Sequence, residues 1–398
     1  MSERNLPAAM ATPEANRGHH SRDGLMPSQF SYGSQSVRMV ACLLIVAVGL
    51  VERTARAWAD PPSGFQATIT PATADSGPIV KLTGHFGSQY TAYDVANDAV
   101  FDLREMRWDP RPEHPLSTAF SAGEQPQPPT NLTILGGMID GRIPLDWSWS
   151  VTHAFGGSAF YTVATGRQVI DGARIHNVQD GWRPRETPEF RPRAYLNSGS
   201  FLMRNCYMTG VRDDCIENDE FLPGTIEDCL FDGAFTFYSE QNETINGVRT
   251  LELATIGPNE SPDVLISRTL VRLDITSGGE PGPGTWFKLH GYKAPNHRIV
   301  LADCSFAVSS KPRAGWKQLN FPKTAEFKGT NYLLWLGQAG EFDGKVPTGI
   351  TLVEGDAARA KWHDLRNRWL IAHGYESRAA DDLNTMQTPV VPPRQVHK

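Results

Sequence analysis

Cysteine is scarce. Five cysteines in 398 residues are too few for a disulfide scaffold, and no C-x-x-C pair or His/Cys group at zinc spacing occurs, so a stapled mini-domain and a structural zinc site are excluded. Dinucleotide fingerprints, phosphate-binding loops and Ser nucleophile elbows are also absent, which removes the enzyme classes built on them. Basic residues are the minority, 38 against 44 acidic, a net charge of −6, which excludes a protein held to nucleic acid or an anionic membrane by bulk charge. No apolar run reaches the roughly 20 residues that span a bilayer as a helix. The longest, Met39 to Val51, has about 13 and reads as a signal-peptide core, with Arg38 in front and the small residues of Ala57-Trp58-Ala59 behind it. Residues 1–59 are therefore expected to be an N-terminal extension and signal peptide, cleaved near Ala59 before Asp60, and the mature chain an exported (periplasmic or secreted), mildly acidic protein.

What the chain has is an internal phrase that recurs between Asn131 and Val308. Its copies are ILGGMIDG from Ile134, IDGARIHN from Ile170, MRNCYMTG from Met203, IEDCLFDG from Ile226, ISRTLVRL from Ile266 and LADCSFAV from Leu301. The first column is aliphatic throughout. Two residues on stands Gly136, Gly172, Asn205, Asp228, Arg268 or Asp303, then a small residue (Gly137, Ala173, Cys206, Cys229, Thr269, Cys304). Apolar side chains return five residues on, as Ile139, Ile175, Met208, Phe231, Val271 and Phe306. Repeats about 23 to 40 residues apart, built from short β segments joined by Gly, Asn and Asp turns, are the pattern of a β-solenoid whose loops vary in length. The stretch resembles the right-handed parallel β-helix of the pectate lyase and polygalacturonase superfamily. The resemblance covers roughly Asn131 to Val308 and is specific to architecture. It implies an all-β fold, a right-handed parallel β-helix over residues 60–355. Asp356 to Gly374, with an Asp cap, Trp362, Leu365, Trp369 and Leu370 on one face and a Gly stop, is expected to form an amphipathic capping helix over the C-terminal coils, within 356–375. Residues 376–398 read as a disordered tail.

Stacked parallel strands place equivalent positions about 4.8 Å apart, so residues distant in sequence become rows. Carrying the Met203 and Ile226 registers forward stacks Glu217 on Glu240, Asn218 on Gln241, Asp219 on Asn242 and Glu220 on Glu243. In the next coil, FKLHG sets Phe287 beside Ser239, Lys288 beside Glu240 and His290 beside Asn242. Asp213 and Asp214 precede this face, and Asp180 occupies the matching offset one coil earlier. RDDCI resembles the paired-Asp motif of polygalacturonases, where acidic residues on adjacent coils protonate the glycosidic oxygen and activate water. The Gly-His-Gly and Arg-x-Lys phrases of that family have no counterpart at the expected places, leaving Lys288 and His290 as functional substitutes.

The candidate catalytic set is thus Asp213, Asp214, Glu217, Glu240, Lys288 and His290. Two uses are open. Carboxylates about 5 Å apart divide into an acid and a nucleophile, or Asp213, Asp214, Glu217, Asp219 and Glu240 hold Ca²⁺ against a uronate while Lys288 or His290 serves as a lyase base. A surface ion-pair ladder is the structural alternative. The insertion GWRPRETPEFRPRAY supplies Arg183, Arg185, Arg191 and Arg193, which with the rings of Trp182, Tyr195 and Tyr238 suit an anionic-sugar subsite. Trp147 and Trp149 read mainly as packing. Cys206 and Cys229 share a column, more as small core residues than as a disulfide. The expected partner is a polysaccharide or oligosaccharide, a uronate-containing one, and the expected activity is a lyase or glycoside hydrolase, with a non-catalytic carbohydrate-binding or envelope-associated protein as the alternative.

Overall fold

The computed structural model describes residues 65–375 apart from 74–75, 111–114, 187–198, 221, 242–243, 246–247, 250–262, 291–297, 314, 316–320 and 323–324. The expected signal peptide and its cleavage site, the tail from 376, and Arg191, Arg193, Tyr195, Asn242 and Glu243 lie outside the described residues, as does the side chain of His290.

One mostly parallel sheet of 23 strands dominates the structure. Among the described residues its only antiparallel pairing is at the N-terminal edge, where the exposed strand Gln66–Thr70 covers Ile79–Phe86. The sequence repeat is the sheet register. Ile134, Ile170, Met203, Ile226, Ile266 and Leu301 are successive Cα partners, and so are Ile139, Ile175, Met208, Phe231, Val271 and Phe306. All twelve side chains are buried in one continuous core. Burial of both columns is what fixes the register, because a slip of one residue turns every core side chain outward.

Between those columns every copy turns a corner. Gly136, Gly172, Asn205, Asp228, Arg268 and Asp303 all have positive φ, from 48° to 77°, a conformation Gly, Asn and Asp tolerate and a long side chain resists. The small residue after the corner is buried, and Cys206, Cys229, Thr269 and Cys304 each point their Sγ–H or Oγ–H at the carbonyl two residues back. Cys206 and Cys229 are free thiols. Arg268 is the misfit at its corner, and its ion pair to Glu227 is exposed and worth little. Arg268→Asn is expected to stabilise the protein by up to about 1 kcal/mol, read as a higher urea midpoint at unchanged slope.

The C-terminal helix, Gly355–Ala372, begins one residue before the expected cap: Glu354 is the N-cap residue and makes no side-chain cap, while Asp356 lies in the first turn. The Gly374 stop is present at φ 74°. The helix lies along the flank of the sheet. The outward column Arg174, Tyr207, Leu230, Leu270, Ser305, Tyr332 climbs about 24 Å at the interstrand spacing. Lys361 sits over the Tyr332 ring at 3.7 Å and Arg174 over the Tyr375 ring at 4.2 Å, so the segment from 361 to 375, about 21 Å if helical throughout, runs back down the column. Trp362, Trp369 and Leu370 pack on Tyr207, Leu230, Leu270 and Leu334. It is a strap rather than a cover over the end, reaching far beyond the C-terminal strands. No described helix is long and apolar enough to cross a membrane.

Candidate functional site

The site forms where one strand departs from the repeat. Strand Val211–Glu217 follows the 23-residue offset as far as Val211, partner of Ala234, but Asp214 then pairs with Thr236, Ile216 with Tyr238 and Glu217 with Ser239. Arg212 and Asp213 together oppose Phe235 alone, a β-bulge of the kind that re-aims side chains. The bulge corrects the expected rows. Glu217 stands beside Ser239, not Glu240, and Lys288 beside Ser239, with His290 beside Gln241.

The consequences fall on four predicted residues. Tyr238 and Trp182 belong to an inner column, Phe120, Phe160, Trp182, Ile216, Tyr238, Phe287, and both are completely buried. Neither ring is presented to a ligand. Glu240 alternates to the same side as Tyr238, whose hydroxyl donates to its Oε1 at 2.5 Å, and burial pushes its pKa up to about 8. It is a neutral core acid at pH 7. Asp219 accepts from Arg183 Nη2 at 3.1 Å. The five-residue Ca²⁺ donor set is therefore not assembled.

What comes together is Asp180, Asp213 and Asp214, each of which brings one carboxylate oxygen within 4.8 Å of the others. Asp180 was visible in the sequence only as a matching offset. Asp214 N–H donates to Asp180 Oδ1 at 3.0 Å. Lys288 Nζ lies 2.9 Å from Asp214 Oδ2 and 3.5 Å from Asp213 Oδ1, reaching back from the strand Phe287–His290. His153, to which the sequence assigned no role, puts Nδ1 3.2 Å from Asp213 Oδ2. It comes from the short helix Trp149–Phe155, capped by the Ser148 hydroxyl, and its ring stacks on Trp149 at 4.5 Å. Only the neighbourhood in space, not any spacing along the chain, marks it.

Burial and mutual repulsion divide these acids. Asp214 is raised to about 7, first by burial and then by the charge of Asp213. Asp180 is raised well above its usual range by burial and by the surrounding carboxylates. Burial also opposes the Asp213 charge, but the hydrogen bond from His153 and the charge of Lys288 outweigh it and hold that carboxyl low. His153 is raised by the same hydrogen bond. Lys288 is partly desolvated, yet the charges of Asp214 and Asp213 raise it further, so it stays an ammonium. Lys288 thus places a cation against two of the three aspartates.

Arg212, fully buried beside Asp213, donates from Nη2 to the carbonyls of Leu145 and Trp147, both at 3.1 Å. It fastens the loop that leads into the His153 helix, and burial pushes its pKa down to about 10. On the other side Arg183 bridges Glu217 at 3.4 Å and Asp219 at 3.1 Å. Arg185 is buried and paired with Glu220 at 3.2 Å, so it is a structural residue rather than a surface sugar ligand. Arg183 keeps 19% of its side chain exposed. Because Glu240 is neutral and turned to the core, Glu240→Gln is expected to leave any activity within about twofold of wild type, in contrast to the three aspartates; a large loss in steady-state turnover would put Glu240 back in the site. Set against known proteins, the chain matches no family model, no curated protein and no solved structure.

Proposed function

We propose that this chain is an exported right-handed parallel β-helix enzyme, of the pectate lyase and polygalacturonase-like kind, that cleaves a uronate-containing polysaccharide by hydrolysis. The observation that carries the reading is the division of labour among three close carboxyls: Asp214 raised to about 7 within 4.8 Å of an Asp213 held ionised. One protonated and one ionised carboxyl about 5 Å apart are what retaining glycosidic cleavage asks for. Asp214 donates its proton to the leaving glycosidic oxygen. Asp213, oriented by His153, attacks the anomeric carbon as the glycosidic bond breaks, the Asp214 carboxylate then takes the proton of the water that hydrolyses the glycosyl ester, and Lys288 offsets the negative charge left on the pair. A lyase reading with Lys288 as base needs a neutral amine, and Lys288 between two aspartates is held in the opposite state.

The test is to incubate the full chain with a panel of uronic and neutral polysaccharides, with and without Ca²⁺, following reducing ends and ultraviolet absorbance. New reducing ends without an absorbance gain, on uronic substrates and indifferent to chelator, are expected. An absorbance gain that requires Ca²⁺ would overturn hydrolysis in favour of β-elimination. Binding without turnover on every substrate would make the protein a carbohydrate-binding module instead.

A further inference from the structure

Asp213 takes its direction from His153, and His153 is a side chain with freedom to point elsewhere. It is 57% exposed on a helix of seven residues, and of the staggered positions open to it the one adopted sets Nδ1 3.2 Å from Asp213 Oδ2. What selects that position is Trp149, four residues earlier and so on the same face of the helix. The two rings are nearly parallel, 14° apart with centroids at 4.5 Å, an arrangement that narrows the swing of the imidazole and favours its charged form over the indole. Trp149 also acts on Asp213 directly. Its Nε1 is buried and makes no hydrogen bond of regular geometry, so its N–H works as a nearby dipole; burial opposes the Asp213 charge, and behind His153 and Lys288 this indole helps to hold it.

Trp149 is itself held from another part of the chain. The Arg313 guanidinium lies over its ring at 5.3 Å and over the Phe235 ring at 5.5 Å. Arg313 Nη1 donates to Glu280 Oε2 at 3.2 Å, and its backbone N–H to the Pro283 carbonyl at 3.1 Å. The segment that carries Glu280 and Pro283 is in turn fastened to the bulge. Thr276 Oγ1 donates to the Val211 carbonyl at 3.0 Å, Ser277 Oγ to the Arg212 carbonyl at 3.4 Å and Gly278 N–H to the Trp147 carbonyl at 2.7 Å. A Cβ on Gly278 would stand 2.1 Å from the Asp146 carbonyl oxygen, so only glycine allows that approach. The contacts close on themselves, from the bulge through residues 276–283, Arg313, Trp149 and His153 back to Asp213. Trp149, Glu280 and Arg313 all stand on segments between strands, outside the repeat.

We propose that Trp149 is a positioning residue for Asp213, acting mainly through His153, and that Arg313 positions Trp149. The part played at Asp213 rests on the hydrolytic reading above; the seating of His153 does not. The test is made on the full chain by two measurements, steady-state turnover of a uronic polysaccharide and proton NMR of the His153 ring, assigned by its loss in His153→Gln. The ring senses Asp213, Lys288 and Glu217 in every variant compared, so a change in its midpoint reports the residue stacked on it. Trp149→Leu is expected to lower the His153 midpoint by about half a pH unit, the worth of an exposed cation–π contact, to abolish the ring-current displacement of its signals, and to lower kcat about 10- to 100-fold with KM within about twofold. Trp149→Phe, which keeps a ring in place, is expected to restore the NMR signature and most of kcat. Arg313→Gln changes a side chain that is 38% exposed, which guards against a Trp149 variant that does not fold; it is expected to reduce the ring-current displacement and to lower kcat by about threefold. The proposal is overturned if the His153 signals are the same in wild type, Trp149→Leu and Arg313→Gln, or if Trp149→Leu raises KM and spares kcat, which would make the indole a sugar contact. A wild-type protein without turnover would sink the hydrolytic reading, and the His153 signals would still decide what seats the ring. Full turnover in Trp149→Leu beside a displaced His153 would do the reverse, ending the proposal and leaving the hydrolytic reading intact.

Discussion

Asp214→Asn is expected to lower turnover of a uronic polysaccharide by about 10²- to 10⁴-fold, the range for loss of a general acid, while making the protein more stable at pH 8. The two effects have one origin. Asp214 titrates near 7 in the folded protein against about 3.9 in an unfolded chain. Between these values the folded state holds a proton that the unfolded state has released, so stability falls as pH rises from about 4 to about 7. Above 7 the ionised side chain is a further buried charge beside Asp213. Asparagine carries no charge at any pH, so its advantage in melting temperature is expected to be present at pH 8 and to disappear near pH 4. The wild-type rate profile follows from the same assignment, with activity falling as pH rises through about 7 and Asp214 loses its proton. A variant that loses activity and is equally destabilised at both pH values would show that Asp214 is a structural residue.

The repeat made the core legible in the sequence because core residues obey the register. Ile134 to Leu301 pair in the order the phrase predicts. The row carrying the acids was read one residue out, because a bulge costs one residue and has no composition of its own. Its trace was nonetheless present: VRDDCI sets three charged residues inside an otherwise apolar strand, a pattern a regular strand facing the core does not carry. The displacement alone decides that Glu240 and Tyr238 turn inward and that Asp213, Asp214 and Lys288 meet. Trp182 and Arg185 were read as surface residues from the polar insertion that follows them, yet in strand Asp180–Arg185 Trp182 is a core residue and Arg185 is buried on Glu220. His153 was beyond reach, since it lies 60 residues from Asp213 on a helix that the solenoid pattern does not contain.

The other large effect is expected at the strap. Asp232 is buried and accepts from Arg272 Nε through Oδ1 and from Arg366 Nε through Oδ2, both at 2.5 Å, so one carboxylate joins the sheet to the C-terminal helix. Asp232→Ala leaves Arg272, 8% exposed, with only the more exposed Asp274 at 2.6 Å, and an unpaired buried charge of this kind costs about 3–5 kcal/mol. Removing the arginines as well removes the charge that would be stranded. Adding Arg272→Met and Arg366→Met to an Asp232→Leu background is therefore expected to recover most of the loss, a strong non-additivity that denaturant titration of the single and triple variants measures. Additive losses would mean that the ion pairs are worth their Coulomb attraction rather than the cost of breaking them. The pH dependence has its own sign. Burial opposes the Asp232 charge, but the two arginines outweigh burial and hold its pKa below the usual carboxylate value, so its contribution is complete above about pH 4 and is lost as pH falls through the lowered folded value. The triple variant, lacking that carboxylate, is expected to lose less stability than wild type between pH 4 and pH 2. Trp362, Trp369 and Leu370 still bury their apolar surface in it, at about 1.5–3 kcal/mol for a fully buried side chain, which keeps the strap in place once the charges are gone.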